Sequence, residues 1–498
     1  MKLQEIISNV NKELVIPAGA DLTQEIYGIT TSSKKVGQGY LFLGLPGSKI
    51  DGGEFWVDSF KSGAVAAVIT PQAAQKVPPH KSDCVIQCQD IESVCAQIAA
   101  AFYDFPSLAL SMIGVTGTNG KTTTTHLIEF FMQQISSKIA LFGTLYTRWP
   151  NHQKTALHTT PFAVELQSEL ANARLAGCKY SVMEVSSHAL AQGRIKECMF
   201  DVSVFTNLTQ DHLDYHLDME SYFQAKELLF SEEYLSRRAI INIDDIYGQR
   251  LSSTLPKEKV WTYSVDNEKA DFHTKNLKYK VNGASGIIIT PMGSFTFNSP
   301  LVGKFNLSNL LASVATIAHF EVSLELTLKL LPDFKGVPGR MERVSLNDSQ
   351  DIAVIVDYAH TPDSLENLLK ATRPFIDGKI ICVFGCGGDR DRTKRPLMGK
   401  ISSELADITV VTSDNPRTEN PQSILDDILQ GIGNQANVSV LADRALAIKK
   451  AILEAKSGDG ILIAGKGHED YQIIGSEKFY FDDRQEALKA LKERGAKA

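Results

Sequence analysis

The feature that most constrains the fold is a β-strand joined to an α-helix by a glycine-rich turn. Ser111–Val115 is an apolar run of strand length, and Lys121–Ile135 has the length and composition of a helix. The turn overlaps both and reads Gly114-Val115-Thr116-Gly117-Thr118-Asn119-Gly120-Lys121-Thr122-Thr123. Its glycines allow a tight backbone in which successive N–H groups and the helix N-terminus point towards one place. This unit predicts an α/β fold.

After this turn, apolar runs of strand length alternate with helix-length segments, which is typical of a mostly parallel sheet with helices on its faces. The runs are Ile139–Phe142, Tyr180–Val185, Val202–Phe205 and Ala239–Ile243. The residues before Pro106 contain shorter runs between glycine-rich turns, which predict a small α/β domain. These runs are Tyr40–Leu43, Ala64–Ile69 and Cys84–Cys88.

Strand-like runs also follow the turn Gly336–Arg340, and each leads directly into polar or glycine-rich residues. They are Ile352–Val356, Ile380–Phe384, Ile408–Thr412 and Gly460–Ala464. Ligands of doubly wound sheets bind outside the carboxyl ends of the strands, so these loops predict an active-site rim on a Rossmann-like domain. At about 150 residues per domain, 498 residues suggest about three domains. We expect them at residues 1–106, 107–336 and 337–498.

The composition is that of a soluble globular protein, and the net charge of −7 argues against a general nucleic-acid binder. No stretch approaches the roughly 20 apolar residues that cross a bilayer, and Met1–Leu14 lacks the apolar core of a signal peptide. We therefore expect a cytoplasmic protein without nucleic-acid or membrane partners, and we take it to be a monomer. The seven cysteines include no CxxC pair, which favours burial as free thiols over metal binding.

The glycine-rich turn has the residue types of a phosphate-binding loop. Lys121 can reach the terminal phosphates of a nucleotide, and Thr122 can bind Mg²⁺. The alternative is a glycine-rich turn with an incidental lysine, which the flanking strand and helix disfavour. We therefore predict a nucleoside triphosphate site formed by Gly117, Thr118, Asn119, Gly120, Lys121, Thr122 and Thr123.

The segment Thr116–Thr123 resembles the ATP loop of the Mur ligases and of the related folylpolyglutamate synthases. The resemblance to Mur ligases continues in the same order along nearly the whole chain. It is carried by the strings Met183–His188, Asn207–His216, Ala225–Lys226, Asp357–Pro362, Asp414–Arg417 and Gly465–Glu469. This resemblance implies a ligase that uses ATP to add an amino acid to a UDP-linked muramoyl peptide.

Two other functions fit the sequence less well. In folylpolyglutamate synthases the loop lysine is typically followed by Gly-Ser, whereas in this sequence Lys121 is followed by Thr122 and Thr123. A catalytically silent nucleotide or precursor sensor would be expected to have a broken Lys121, Glu184 or His212, and all three are intact.

The resemblance also implies a magnesium site. Glu184 and Thr122 would hold one Mg²⁺, His212 would help to hold a second, and Lys226 would carry a CO₂-derived carbamate, N6-carboxylysine. Such a carbamate is a long anionic oxygen ligand, which suits Mg²⁺. The residues alone leave alternatives open: a structural ion pair for Glu184, a core histidine for His212, and a solvent-exposed lysine on the helix-like run Ser221–Phe230 for Lys226.

Further ligand contacts follow from the same resemblance. Asn309, Arg340 and Asp357 would hold the nucleotide, although Asn306 and Asn309 could instead cap the helix that follows. The contacts to a UDP-MurNAc-dipeptide would be Thr31, Ser33, Ser48, Lys49, Ile50, Thr159, Thr160, Ser186, Gln192 and Arg194. Ser32-Ser33-Lys34 replaces the family's usual Asp-Ser-Arg, which puts a guanidinium contact there in doubt.

The implied reaction activates a carboxylate. Transfer of the ATP γ-phosphoryl group makes an acyl phosphate, which an amine can attack, and charge neutralisation by Mg²⁺ and Lys121 assists the transfer. The base that deprotonates the amine is not identified by the sequence, and His188 and His360 are candidates.

We expect the incoming amino acid to be meso-diaminopimelate, with L-lysine as the alternative. The two differ by one carboxylate, which the two parallel donors of Arg417 can bind. The string Asp414–Arg417 also resembles that of family members that add diaminopimelate. The alternative role for Arg417 is a simple pair with Glu419. The expected contacts are Arg390, Asp414, Asn415, Pro416, Arg417, Gly465 and Glu469.

Overall fold

The computed structural model describes residues 1–47, 50–134, 138–280, 283–347, 350–433 and 437–497. The chain forms two compact units. The first contains residues 1–116, 136–203 and 225–238, and the second contains residues 117–135, 204–224 and 239–498. Among the described residues, no helix is long and apolar enough to span a membrane.

The first unit begins with a parallel sheet in the order β1-β2-β3-β4. The strands are β1 (Gly28–Thr30), β2 (Tyr40–Leu43), β3 (Ala64–Ile69) and β4 (Val85–Gln87). The helices are α1 (Leu3–Ile7), α2 (Trp56–Lys61), α3 (Pro71–Lys76) and α4 (Ile91–Phe102). Separate apolar clusters cover the sheet, which explains why β3 is apolar along its whole length. The three runs predicted in this region are confirmed as β2, β3 and β4.

Six further strands lie wholly or mainly in the first unit and are neighbours in the order β10-β5-β9-β6-β7-β8. They are β5 (Ser111–Thr116), β6 (Ile139–Phe142), β7 (Tyr146–Trp149), β8 (His152–Thr155), β9 (Tyr180–Glu184) and β10 (Phe200–Phe205). Of the helices in this stretch, α6 (Ala163–Leu175) and α7 (Ser187–Ala191) belong to the first unit, whereas α5 (Lys121–Gln134) belongs to the second. β5 and β6 pair in parallel with β9, whereas β7 and β8 form an antiparallel extension. The predicted helix after the glycine-rich turn is confirmed to Gln134, and Ile135 lies outside the described residues.

In the second unit, strands follow one another in the order β15-β14-β13-β12-β11. They are β11 (Leu235–Asn242), β12 (Val260–Ser264), β13 (Phe272–Lys280), β14 (Gly283–Thr290) and β15 (Gly293–Ser299). The helices are α8 (Leu213–His216), α9 (Met219–Glu227), α10 (Ile246–Thr254), α11 (Lys304–His319) and α12 (Leu324–Leu330). The boundary between the units falls within α9, after Gln224, so Lys226 belongs to the first unit. β14 is antiparallel to both its neighbours because its connections are too short for the crossover that parallel strands require.

The remaining sheet of the second unit has the order β16-β17-β21-β18-β19-β20 and is parallel except for β16. The strands are β16 (Glu342–Arg343), β17 (Ala353–Asp357), β18 (Ile380–Phe384), β19 (Ile408–Thr412), β20 (Val438–Leu441) and β21 (Gly460–Ala464). An antiparallel hairpin follows, β22 (Tyr471–Ile474) and β23 (Glu477–Tyr480). The helices are α13 (Pro362–Thr372), α14 (Lys394–Leu405), α15 (Pro421–Leu429), α16 (Arg444–Glu454) and α17 (Asp483–Lys497).

The four strand runs predicted in this region are confirmed as the neighbouring strands β17, β21, β18 and β19. Since these strands are parallel, the polar loops that follow them all leave the sheet at the same edge. Apolar clusters on the two faces of the sheet hold the strands in place, so the loops extend from a packed support.

Candidate active site

The glycine-rich turn is a preformed anion-binding loop. Gly117 has a φ of +145°, and a Cβ there would lie 1.9 Å from the hydroxyl oxygen of Thr206. Gly120 has a φ of +89°, and a Cβ there would lie 2.3 Å from Oδ1 of Asn309. Lys121 Nζ donates hydrogen bonds of 2.8 Å to the carbonyl oxygens of Gly117 and Thr118. Glycine is therefore required at both positions, by the backbone conformation and by the lack of space for a Cβ. The lysine side chain is held against the loop by its two hydrogen bonds.

A cavity of about 390 Å³ adjoins this loop in the second unit. Arg340 Nη2 donates to the hydroxyl of Thr122 at 3.2 Å, and its guanidinium lies 4.5 Å from the ring centre of Tyr358. Burial raises the pKa of Asp357, although the positive charge of Arg340 opposes that shift. The predicted nucleotide-binding residues that line the cavity are Asn119, Gly120, Thr122, Thr123, Asn309, Arg340 and Asp357.

The proposed capping role of the two asparagines is wrong. Gly303 is the N-cap of α11, and both Asn306 and Asn309 lie inside the helix. The Asn306 side chain donates to the Val302 carbonyl at 2.8 Å, while Asn309 accepts from the Thr124 hydroxyl at 3.4 Å. Asn309 therefore faces α5 and the cavity.

The segment after β10 provides a buried carboxylate that sequence reasoning missed. Asp211 lies 3.5 Å from Lys394 Nζ, 3.5 Å from His212 Nε2 and 3.7 Å from His360 Nε2. Burial alone would raise the pKa of Asp211, but the charge of Lys394 and the hydrogen bond of His360 outweigh it and hold the pKa well below the ordinary value. The string Asn207–His216 was the signal that could have revealed this residue.

His212 is not a core histidine. Its side chain is 37% exposed, and its backbone adopts a left-handed φ of +56° at the N-cap of α8. The alternative interpretation of a satisfied histidine in the core is therefore wrong, because more than a third of the side chain is exposed.

In the first unit, Glu184 is fully buried at the end of β9. Thr144 donates to its carboxylate from the backbone N–H at 2.8 Å and from the hydroxyl at 3.0 Å. A Cβ at position 143 would lie 2.5 Å from Glu184 Oε1, so the carboxylate fits there only because residue 143 is glycine. Carboxylate oxygens are the hard ligands that Mg²⁺ prefers, and the two bonds from Thr144 hold this carboxylate in one orientation.

Lys226 is also buried in the first unit, with 1% of its surface exposed. The interpretation of a solvent-exposed lysine is therefore wrong. Its position in α9 follows the buried Tyr222 and Phe223 by about one helical turn, which places it on the apolar side of the helix. Within the described ranges, no group of three or more His, Cys, Asp or Glu side chains is arranged to hold a metal ion. Of the predicted metal residues, Glu184 and Lys226 lie in the first unit and Thr122 and His212 in the second.

The structure brings together the predicted peptide-binding residues of the first unit. The Thr160 hydroxyl donates to the Glu184 carbonyl at 2.8 Å and lies 3.4 Å from the Ser186 hydroxyl, which caps α7. Arg194 donates to the Thr160 carbonyl at 3.0 Å and twice to Gln192 Oε1, at 2.8 and 2.6 Å. The Thr159 hydroxyl lies 3.1 Å from that of Thr144, beside Glu184.

Phe162 is an unpredicted member of this group. Its ring lies 4.0 Å from the guanidinium carbon of Arg194 and packs edge-on against His158 at 5.0 Å. Burial and the nearby Arg194 charge lower the pKa of His158.

The predicted uridine contacts lie in the first unit. Thr31 is exposed after β1, and Ser33 begins the short 3₁₀ helix Ser33–Lys35. Ile50 is 54% exposed. Ser48 and Lys49 lie outside the described residues.

The loops after β19 and β21 meet at the edge of the last sheet. Asn415 Nδ2 donates to Glu469 Oε2 at 2.9 Å, and Gly465 has a φ of +119° that leaves space for the Asp414 carboxylate. Arg417 has a φ of +52°, and its Nη1 donates to the Gly388 carbonyl at 2.7 Å. Pro416 lies between Asn415 and Arg417 in the loop after β19.

The alternative pair between Arg417 and Glu419 is wrong. The Glu419 carboxylate is bound instead by Arg395, at 2.9 and 2.7 Å, and by the backbone N–H of Asp389. Arg390 is exposed and donates to the carbonyl of Asp389 at 3.1 Å. Arg417 is therefore held by backbone contacts and not by an acidic neighbour.

The hairpin of β22 and β23 supports this loop and was not predicted. The Arg417 N–H donates to the Ile473 carbonyl at 3.0 Å, and the Gly475 N–H donates to the Arg417 carbonyl at 2.7 Å. Gln472 Nε2 donates to the Asp414 carbonyl at 2.6 Å. These bonds fix the left-handed backbone of Arg417.

A strand, a phosphate loop and a helix, followed by loops at the edge of a parallel sheet, define an α/β protein of the nucleotide-binding class. Family models match consecutive parts of the chain: "Mur ligase family, catalytic domain" at residues 25–103, "Mur ligase middle domain" at 115–317 and "Mur ligase, glutamate ligase domain" at 339–467. The chain belongs to the Mur ligase family, and the predicted three-domain α/β fold class is confirmed.

Individual relatives agree over nearly the whole length. The chain is 61% identical over 495 residues to the UDP-N-acetylmuramoyl-L-alanyl-D-glutamate–2,6-diaminopimelate ligase of Nostoc sp., covering 99% of both chains. It is 57% identical over 501 residues to the ligase of the same name from Synechocystis sp., again covering 99% of both. A solved structure of a ligase with this name has a TM-score of 0.68 at 33% identity and covers 99% of both chains. MurF from Acinetobacter baumannii, at 18% identity, shares the fold with a TM-score of 0.68 over 100% of this chain and 99% of its own.

Proposed function

We propose that this chain uses ATP to join meso-diaminopimelate to UDP-N-acetylmuramoyl-L-alanyl-D-glutamate in peptidoglycan precursor synthesis. The observation that carries this proposal is the 61% identity over the full length to a ligase with that name. L-Lysine, the alternative amino acid, is not favoured by these relatives. We propose a monomer that acts in the cytoplasm, with domains at residues 1–106, 107–336 and 337–498.

The nucleotide is proposed to bind in the cavity beside the phosphate loop. The loop N–H groups and Lys121 would bind its phosphates, while Asn309, Arg340 and Asp357 would hold the rest. The substrate carboxylate oxygen attacks the γ-phosphorus, ADP leaves, and an acyl phosphate forms. The amine of the amino acid then attacks the acyl carbon, an amide forms, and inorganic phosphate and a proton are released. Lys121 stabilises the charge of the transferring phosphoryl group.

Mg²⁺ would neutralise phosphate charge in this reaction. Thr122, Glu184, His212 and Lys226 are the residues that we propose to hold it. Their chemistry fits, because the buried Glu184 provides carboxylate oxygens and Lys226 would provide two more after carbamylation. The burial of Lys226 supports that modification, since a desolvated lysine loses its proton more easily and only the neutral amine adds CO₂.

The UDP-linked substrate is proposed to extend along the first unit. Thr31, Ser33, Ser48, Lys49 and Ile50 would bind its uridine diphosphate end. The hydrogen-bonded group around Thr160 would bind the muramoyl dipeptide, with Arg194 as its positive charge. The members of that group are Thr159, Thr160, Ser186, Gln192 and Arg194.

The incoming amino acid is proposed to bind at the loops after β18, β19 and β21. Arg417 would bind the distal carboxylate, Glu469 the distal ammonium, and Arg390 the remaining carboxylate. Asp414, Asn415, Pro416 and Gly465 would shape this site. A lysine substrate would leave Arg417 without its carboxylate, which sites built on hydrogen bonds penalise strongly.

An assay of ADP release tests the proposal. The purified chain is incubated with ATP, Mg²⁺ and UDP-MurNAc-dipeptide, with and without diaminopimelate. We expect ADP release and a product one diaminopimelate residue heavier by mass spectrometry, and only with all components present. ADP release that ignores the UDP-linked substrate, or that requires a pterin substrate instead, would reject the proposal.

A further inference from the structure

Lys466 is a buried lysine at the proposed amino-acid site. Its side chain is 0% exposed, although it lies between two glycines at the end of β21. A buried ammonium group is costly unless it is paired and hydrogen-bonded. The partners of the Lys466 ammonium group therefore indicate its role.

Those partners are the side chains that we propose to surround the amino acid. Lys466 Nζ donates to Asn415 Oδ1 at 3.1 Å and to Glu469 Oε2 at 3.3 Å, and it lies 4.0 Å from Asp414 Oδ1. Asn415 Oδ1 also accepts from the Ile473 N–H at 3.0 Å, and Asn415 Nδ2 donates to the same Glu469 oxygen at 2.9 Å.

This network fixes the orientation of one carboxylate. Glu469 Oε2 accepts hydrogen bonds from Asn415 and from the buried Lys466, while 15% of the Glu469 side chain remains exposed. If the hydrogen-bonded oxygen turned away, the buried ammonium group would lose one of its two hydrogen bonds. The exposed part of Glu469 is therefore presented at the edge of the sheet where the loops meet.

We propose that Lys466 is a positioning residue that holds Glu469 in place for the distal ammonium of the incoming amino acid. This inference rests on the proposed function. Lys466 does not touch the amino acid and acts through Glu469. Its removal therefore affects recognition of the ammonium group more than recognition of the rest of the molecule.

The test compares diaminopimelate with 2-aminopimelate, which keeps the distal carboxylate and lacks the distal amine. We expect Lys466→Met to lower the ratio of kcat/KM for diaminopimelate to that for 2-aminopimelate by about tenfold or more, because hydrogen bonds to charged groups are among the stronger ones and the distal ammonium would lose a correctly placed carboxylate. The KM values for ATP and the UDP-linked substrate should stay within about twofold.

Lys478→Met is the matched control. Lys478 is exposed and lies 3.6 Å from the ring centre of Tyr471, the same ring that Lys466 approaches at 5.4 Å. We expect this variant to leave the ratio unchanged. In a Glu469→Gln background, Lys466→Met should have no further effect on the ratio, since coupled residues are not additive.

An unchanged ratio in Lys466→Met, or an equal loss with both amino acids, would overturn the inference. If Lys466→Met does not fold, as judged by circular dichroism, Lys466→Gln removes the charge while keeping a donor of similar length and is judged by the same ratio. A wild-type chain that uses neither amino acid would instead reject the proposed function, so the two failures are distinguishable.

Discussion

Asn119 in the phosphate loop donates a 2.8 Å hydrogen bond to Asp363 Oδ2 in the first turn of α13. The Asn119 N–H is bound in turn by Asn207 Oδ1 at 2.9 Å. Burial raises the pKa of Asp363, and the hydrogen bonds from Asn119 and Asn367 oppose the shift. The loop is thus held by a residue more than two hundred positions later in the chain.

We expect Asp363→Ala to raise the KM for ATP about fivefold, because the loss of one hydrogen bond of about 1 kcal/mol loosens Asn119. Steady-state kinetics with ATP as the varied substrate measure this effect. Glu366→Ala, a half-buried position on the same helix that pairs with Lys370, is the control and should leave the KM unchanged. Equal effects of the two substitutions would contradict a role for the Asn119–Asp363 bond.

Lys121→Ala should abolish ADP release, because the transferring phosphoryl group would lose its positive partner. Binding of UDP-MurNAc-dipeptide should survive, since we place that substrate on the first unit. Isothermal titration with the UDP-linked substrate and a coupled ADP assay report the two properties separately. Substantial turnover by the variant would refute the phosphate-loop assignment.

Lys226→Ala should lose most of the activity, and a short carboxylate in the buffer should restore part of it by replacing the carbamate. Incubation of the wild-type protein with ¹³C-bicarbonate should give a carbamate carbon resonance that the variant lacks. Full activity of Lys226→Ala, or a wild-type protein without that resonance at neutral pH, would defeat the proposal.

The centre of each sheet could be predicted from the sequence. β18 and β21 are buried along their length and β3 at every residue but Val65, so they appear as continuous apolar runs bounded by polar or glycine-rich residues. The phosphate loop could also be predicted, because the local backbone conformation of the loop requires glycines. The loops at the strand ends followed from the parallel topology.

Elements with one exposed face could not be predicted in this way. β13 to β15 and the hairpin of β22 and β23 mix polar and apolar residues, and none of these strands is buried along its whole length. Their strand character depends on pairing partners that a local pattern does not identify.

The burial of charged side chains could not be predicted from the local sequence pattern either. Lys226 and Lys466 are fully buried, yet a lysine in isolation is expected at the surface. Their burial depends on side chains far away in sequence, such as Asn415 for Lys466. The burial of Asp211 could not be predicted for the same reason, because its partners Lys394 and His360 lie in later segments of the chain.

Arg417→Ala should raise the KM for diaminopimelate steeply, by about tenfold or more, through loss of a bidentate charged contact. The KM values for ATP and the UDP-linked substrate should be nearly unchanged, because Arg417 is bonded to Gly388 and to the hairpin and not to the phosphate loop. Arg392→Ala, an exposed arginine paired with Asp427, is the control. A parallel rise in all three KM values would indicate a general structural defect instead.

The identity of the added amino acid is the central claim, and a competition experiment tests it most directly. The wild-type protein receives ATP, Mg²⁺ and UDP-MurNAc-dipeptide together with equal concentrations of meso-diaminopimelate and L-lysine, and mass spectrometry separates the two products. The arrangement of Arg417 and Glu469 predicts that the diaminopimelate product accounts for nearly all turnover. Comparable amounts of the lysine product would contradict the account.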